Sequence, residues 1–250
     1  MNRTSAPTLL VFTLGAAHES ARRSLLPQSL RGLEIGVRQS CLEAALAAGR
    51  ACGCRLEVCS PSPLALPPDV RHESQTGADF GSRLERAMLD AHARAEGPLV
   101  VVGADVPGLA ESHVALALAL LAEDPARVVL GPSPDGGVYL LAVRQPIDGL
   151  AATTRWCRRG TRQGLLRALR AAGRPVVLLE PLADLDHPAD LAGWLAVKPG
   201  RTDPRRWLLA LLRRILAEKC RPVIPALLGR PRRALAACLA GRSPPVLLAR

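Results

Sequence analysis

Short apolar runs alternate along this chain with longer stretches whose apolar positions recur at helical spacing. Leu9 to Thr13 predicts a first strand and Arg55 to Ser60 a second. Between them, Leu14 to about Pro27 predicts a loop, and Ile35 to Ala48 a helix closed by Gly49. The Pro-rich segment Pro61 to Pro68 reads as a loop. Asp79 to Ala95 predicts an amphipathic helix, with Phe80, Leu84, Ala87, Met88 and Ala91 on one face. Pro98 to Gly103 holds an unbroken apolar run, Leu99 to Val102, which suits a parallel strand covered on both faces. Further on, helices are expected over Glu111 to Glu123, Thr161 to Ala172 and Pro188 to Ala196. Strands are expected over Arg127 to Leu130, Val138 to Val143 and Pro175 to Leu179.

Alternation of this kind predicts a three-layer α/β fold around a mainly parallel sheet. The pattern changes after Lys198, Pro199 and Gly200. Residues 204 to 240 predict two helices, one with an apolar stripe of Trp207, Leu208, Leu211, Leu212, Ile215 and Leu216 beside Arg205, Arg206, Arg213 and Arg214. The expected organisation is one α/β domain over 1–198 and a basic helical extension over 199–250. That extension is expected to pack on the α/β core with its Arg side chains in water; the alternative is a surface for a membrane, a second copy of the chain or a protein partner.

Composition narrows the function classes. With 48% hydrophobic residues in 250, the chain can bury a substantial core. The net charge of +11 would suit a polyanion. However, the basic residues are scattered, and three Trp, one Tyr and two Phe leave little material for stacking bases. No nucleic-acid partner is therefore expected, and a nucleotide substrate needs only a local positive pocket. The seven Cys include no C-x-x-C pair, and Cys52, Cys54 and Cys59 match no usual zinc spacing, so free thiols in a reducing cytoplasm are expected. No apolar run reaches the roughly 18 residues a spanning helix needs. There is no G-x-x-x-x-G-K-[ST] loop, which disfavours a P-loop NTPase. The five His add little: His18 and His113 look isolated, His72 and His92 fit loop and helix surfaces, and His187 leads into a helix.

The candidate chemistry is acidic. V-V-G-A-D-V-P-G-L, Val101 to Leu109, sets Asp105 just beyond a strand end, where Gly103 lets the backbone turn or approach a ligand closely. In open α/β sheets, ligands bind at that rim. A carboxylate there suits Mg²⁺ or Mn²⁺, and equally suits the capping of a loop. In V-L-G-P-S-P-D-G-G-V-Y-L-L, Val129 to Leu141, Asp135 either meets a substrate hydroxyl or base, or holds a hairpin turn that Gly136 and Gly137 permit. In L-A-D-L-D-H-P-A-D-L, Leu182 to Leu191, Asp184 or Asp186 can supply a further metal carboxylate, while Asp190 reads as first-turn helix charge.

These pieces occur in order with T-T-R-W-C, Thr153 to Cys157, and Q-T-G-A-D-F-G-S-R-L, Gln75 to Leu84. Together they resemble a bacterial glycosyltransferase-like family, the radical-SAM/selenodomain-associated transferases. That family is related to nucleotidyltransferases such as the molybdopterin and phospholactate guanylyltransferases. The resemblance covers roughly residues 8 to 198. It implies a GT-A, nucleotide-diphospho-sugar transferase fold and a metal-dependent glycosyl- or nucleotidyl-transfer from a nucleotide sugar or NTP. It implies Asp105 and Asp135 as catalytic carboxylates, with Asp105 and Asp186 holding Mg²⁺ or Mn²⁺. Gly103, Gly136, Gly137 and Trp156 would border the substrate, and Arg22 or Arg23 would face the phosphates. The loop from Leu14 to Pro27 departs from the family's basic pattern, and Ala104 replaces its usual Thr. A non-catalytic scaffold or regulatory homologue is the alternative reading.

Overall fold

A computed structural model describes residues 6–196. The C-terminal extension expected over 199–250 lies outside the described residues, as do its helices and any partner surface on them. Among the described residues no helix is long and apolar enough to cross a membrane. The chain divides into two compact units. Among the described residues, one comprises 6–15 and 41–184, and the other 16–40 and 185–196.

The first unit holds a seven-stranded sheet. Its strands are β1 (Thr8–Phe12), β2 (Arg55–Ser60), β3 (Val70–Ser74), β4 (Leu99–Gly103), β5 (Val128–Pro132), β6 (Val138–Val143) and β7 (Val176–Leu178). The order across the sheet is β3-β2-β1-β4-β6-β5-β7. All pairings are parallel except those of β6, which runs antiparallel to both β4 and β5. The fold class therefore matches the alternation in the sequence: a mainly parallel α/β sheet.

Strand side chains alternate between two cores, as period-2 geometry requires. Leu9, Val11, Val58, Val100, Val102, Val129 and Ala142 face one way. They pack against α2 (Arg31–Ala51), through Leu42, Ala45 and Leu46, and against α4 (Glu111–Glu123), through Val114, Ala117 and Leu121. Leu10, Phe12, Cys59, Val101, Val128, Leu130 and Leu141 face the other way. There they meet Leu84, Ala87, Met88 and Ala91 of α3 (Phe80–Arg94), Leu150 of α5 (Leu150–Thr153), and Leu165 and Leu169 of α6 (Thr161–Ala171). The apolar face predicted for Asp79 to Ala95 is the buried one. Asp79 caps that helix by accepting from the Ser82 N–H at 2.7 Å. The same hydrogen bond holds its carboxyl below the ordinary carboxylate value.

Glycines set the closest approaches. A Cβ on Gly49 would lie 2.5 Å from Leu9 Cδ2, so the end of α2 can rest directly on β1. A Cβ on Gly131 would lie 2.4 Å from Cζ of Tyr139, whose ring crosses β5 at that position.

In the second unit, the segment Leu14 to Pro27, expected to be a loop, contains a short helix, α1 (Ala16–Arg22). The chain then enters α2 through a 3-10 turn at Gln28–Leu30. Glu34 and Arg38, both buried, organise it. Glu34 accepts from the Leu26 N–H and the Ser24 hydroxyl, each at 3.0 Å, and from Arg38 Nε at 3.4 Å. Arg38 donates to the Arg23 and Leu185 carbonyls. Each buried charge thus meets several partners, which burial demands. The helix α7 (Pro188–Ala196) starts where expected, and Asp190 accepts from the His187 N–H at 2.8 Å at its first turn.

Two further elements escape the pattern. Strand β3 reads V-R-H-E-S, too polar to signal a strand, because it lies at the sheet edge. Helix α5 has only four residues. His72, expected on a loop surface, sits on β3 and hydrogen-bonds Ser60 Oγ at 2.9 Å. None of the five described cysteines is in a disulfide.

Gly131→Ala is expected to cost about 1–3 kcal/mol in urea unfolding, because the new methyl meets a pinned ring. Adding Tyr139→Leu should make the two changes non-additive, with part of the loss recovered, in a double-mutant cycle. Burial pushes the Cys59 thiol up to about 11, and the Cys54 thiol and Tyr139 hydroxyl up to about 12. The folded state holds these protons more tightly than the unfolded chain, whose thiols titrate near 9.0. The contribution of these three groups to stability should therefore be level up to pH 8 and fall between about 9 and 12, a fall lessened in Cys59→Ala, read from urea midpoints across pH.

Candidate functional site

Because β1, β2, β3, β4, β5 and β7 run in one direction, their carboxyl ends share one rim, which also receives the start of β6. The core admits few polar groups, so the chain's acidic chemistry gathers at that rim.

Asp105 lies there, two residues beyond the end of β4, and is half-buried. Its carboxylate folds back over Gly103: a Cβ on Gly103 would stand 2.5 Å from Asp105 Oδ1. The glycine is thus the space the carboxylate occupies, which gives the G-A-D spacing a physical reason.

Asp135 occupies the β5–β6 hairpin on the same rim and is exposed. Its Oδ1 accepts from the Gly137 N–H at 2.8 Å, so it does hold the turn. Gly136 is at φ +96°, and a Cβ there would be 2.0 Å from the Arg159 carbonyl oxygen. The Arg162 N–H donates to the Gly136 carbonyl at 2.9 Å. The turn is thereby locked onto the segment leading into α6.

After β7 the chain crosses the rim again. Carboxylate oxygens of Asp184 and Asp135 lie within 4.8 Å of each other. Two like charges so close repel unless a cation or a proton lies between them, and hard oxygen donors suit Mg²⁺ or Mn²⁺. The structure therefore brings Asp135 together with Asp184, whereas Asp105 keeps its own place against Gly103. Asp186, two residues further along, belongs to the second unit, where its carboxylate pairs with the Arg23 guanidinium. Arg22 is exposed in the last turn of α1.

Trp156 is half-buried beside Gly81: a Cβ on Gly81 would be 2.6 Å from the indole. Its ring also meets Phe80 at 5.7 Å between centroids. Gln75 bridges two strand ends, donating from Nε2 to the Thr13 and Cys59 carbonyls at 2.9 and 3.1 Å. The Q-T-G-A-D-F-G segment thus ties β1 and β2 together at the rim and then caps α3.

His113 is not isolated. Its Nδ1 accepts from the Ala110 N–H at 3.1 Å, so Nε2 carries the proton and donates to the Glu180 carboxylate at 2.9 Å. Tyr139 donates its hydroxyl to the Glu180 carbonyl at 3.1 Å. Two elements thus pin the start of the segment that carries Asp184. The sequence signal for His113 is its place as the third residue of α4, three after the N-cap Ala110. Its partner lies 67 residues away and gave none.

Comparison with known proteins bears on the fold. Residues 38–158 match the family described as "Uncharacterized protein conserved in bacteria (DUF2064)". No curated protein matches the chain. Among solved structures, a Desulfovibrio desulfuricans G20 protein, described as a "putative nucleotide-diphospho-sugar transferase", is similar with a TM-score of 0.72 at 21% identity. The similarity covers 83% of this chain and 94% of that one. Rv0371c of Mycobacterium tuberculosis H37Rv is similar with a TM-score of 0.52 at 19% identity, over 79% of this chain and all of that one, 100%. Its manganese complex gives a TM-score of 0.50 at 18% identity, over 78% and 100%. The chain has the nucleotide-diphospho-sugar transferase fold.

Proposed function

We propose that this protein is a transferase that moves a glycosyl or nucleotidyl group from a nucleotide sugar or NTP with the help of a divalent cation. The observation that carries this reading is the approach of the Asp135 and Asp184 carboxylates to within 4.8 Å on the ligand-binding rim. Asp135 and Asp184 would hold the metal, with Asp105 as a further carboxylate that the family resemblance implies. The manganese complex of Rv0371c, a protein of the same fold, supports a cation of this type. A bound Mg²⁺ or Mn²⁺ would neutralise phosphate oxygens and stabilise the departing pyrophosphate or nucleoside diphosphate.

The chain's own residues perform the rest. Asp135 is oriented by its hydrogen bond to the Gly137 N–H. Gly136 makes room for the Arg159 carbonyl and Gly137 donates to Asp135, so the hairpin that would border the substrate is held in one shape. Gly103 leaves the Asp105 carboxylate its place at the end of β4. Glu180, clamped by His113 and Tyr139, fixes the strand exit from which Asp184 is presented. Gln75 ties the ends of β1 and β2 together on the same rim.

A thermal-shift panel of NTPs and nucleotide sugars with Mn²⁺ should give a rise in Tm for at least one compound. No response across the panel would favour the non-catalytic homologue. Asp184→Asn should weaken Mn²⁺ binding at least about 100-fold by calorimetry, with the circular dichroism spectrum unchanged, since even outer-shell changes at metal sites cost about 10–100-fold. Gly103→Ala, which displaces the Asp105 carboxylate, should lower transfer activity while shifting the urea midpoint little.

A further inference from the structure

From Gly149 to Leu179 the chain contains no Asp or Glu but seven Arg. Four of them, Arg155, Arg158, Arg159 and Arg162, crowd the approach to α6. Arg155, Arg158 and Arg159 are exposed and Arg162 is half-buried. Among the described residues none of the four forms an ion pair. Several arginines elsewhere in this unit do find carboxylates, as Arg94 does with Glu57, Arg50 with Asp69 and Arg86 with Asp90.

The segment's position is fixed rather than incidental. The Thr161 hydroxyl lies 2.7 and 3.0 Å from the Arg158 and Arg155 carbonyls and accepts from the Arg158 N–H, which folds the segment on itself. The Arg162 N–H and the Arg159 carbonyl then seat it on the Gly136 backbone, one residue from Asp135. Of the amides at the start of α6, those of Thr161, Arg162 and Gly164 already have acceptors. An anion there would be held by guanidinium groups, which match phosphate oxygens in pairs.

We propose that Arg155, Arg158, Arg159 and Arg162 form a binding site for a phosphate group of a substrate, next to the Asp135–Gly137 turn. The assignment rests on the transferase reading for its place in catalysis, but not for its chemistry. The phosphate belongs either to a phosphorylated acceptor or to the diphosphate of the donor.

Calorimetric titrations of the full chain and of Arg158→Ala/Arg159→Ala separate these sources. Glycerol 3-phosphate without metal serves as the monoester probe, and GDP with Mn²⁺ as the donor probe. The double variant should bind the monoester at least about tenfold more weakly, with an unchanged urea midpoint. Arg158→Lys/Arg159→Lys should retain part of the affinity. Loss confined to the monoester assigns the site to an acceptor, and loss of GDP affinity assigns it to the donor. Equal affinities of the full chain and the double variant for both probes, or no binding of either by the full chain, would overturn the proposal. Asp184→Asn should leave the metal-free monoester affinity intact. If that variant keeps Mn²⁺ binding while the arginine effect persists, the metal reading fails and the phosphate site stands.

Discussion

The central strands are covered on both faces, and that constraint governs where chemistry can occur. Leu10, Val11, Val100, Val128 and Val129 are fully buried, so charge within the strands would have to be paid with partners. Glu57 is the exception, and it meets Arg94. Polar side chains otherwise collect where the strands stop. Asp105, Asp135, Glu180 and Asp184 all follow strand ends on the rim at which open α/β sheets bind ligands.

Reversal of β6 brings the second feature of the rim. A parallel strand would have needed a long crossover, whereas the antiparallel β5–β6 pair closes through a short turn and leaves Asp135 at its tip. The β5–β6 register shifts between Gly131 and Pro132, Tyr139 lies at that irregularity with its ring over Gly131, and its hydroxyl donates to the Glu180 carbonyl. His113 reaches the same residue from α4. The hairpin, the helix after β4 and the segment after β7 are thereby tied at one residue, and Asp184 leaves from it.

The second unit uses a different device. Its segment between α1 and α2 buries Leu25, Leu26 and Leu30, and the buried Glu34–Arg38 pair adds order by satisfying backbone groups from Arg23 to Leu26 and at Leu185. A charged pair in this role leaves no periodic signal, which is why the segment read as a loop.

The sequence by itself determined the three-layer fold. Its periods of two and 3.6 are imposed by burial of strands and helices, and they located α3, α4 and α7 and the central strands closely. Edge strand β3 and the one-turn helix α5 were not legible, since neither buries enough to need a pattern. At the site, local grammar placed Asp105 and Asp135 beyond strand ends and left Asp184 open beside Asp186. Only tertiary structure decided that Asp135 meets Asp184, that Gly103 makes room for Asp105, and that His113 serves Glu180. Those relations join residues tens of positions apart through strand order and register, and periodicity along the chain records which face is buried but not which neighbour lies across it.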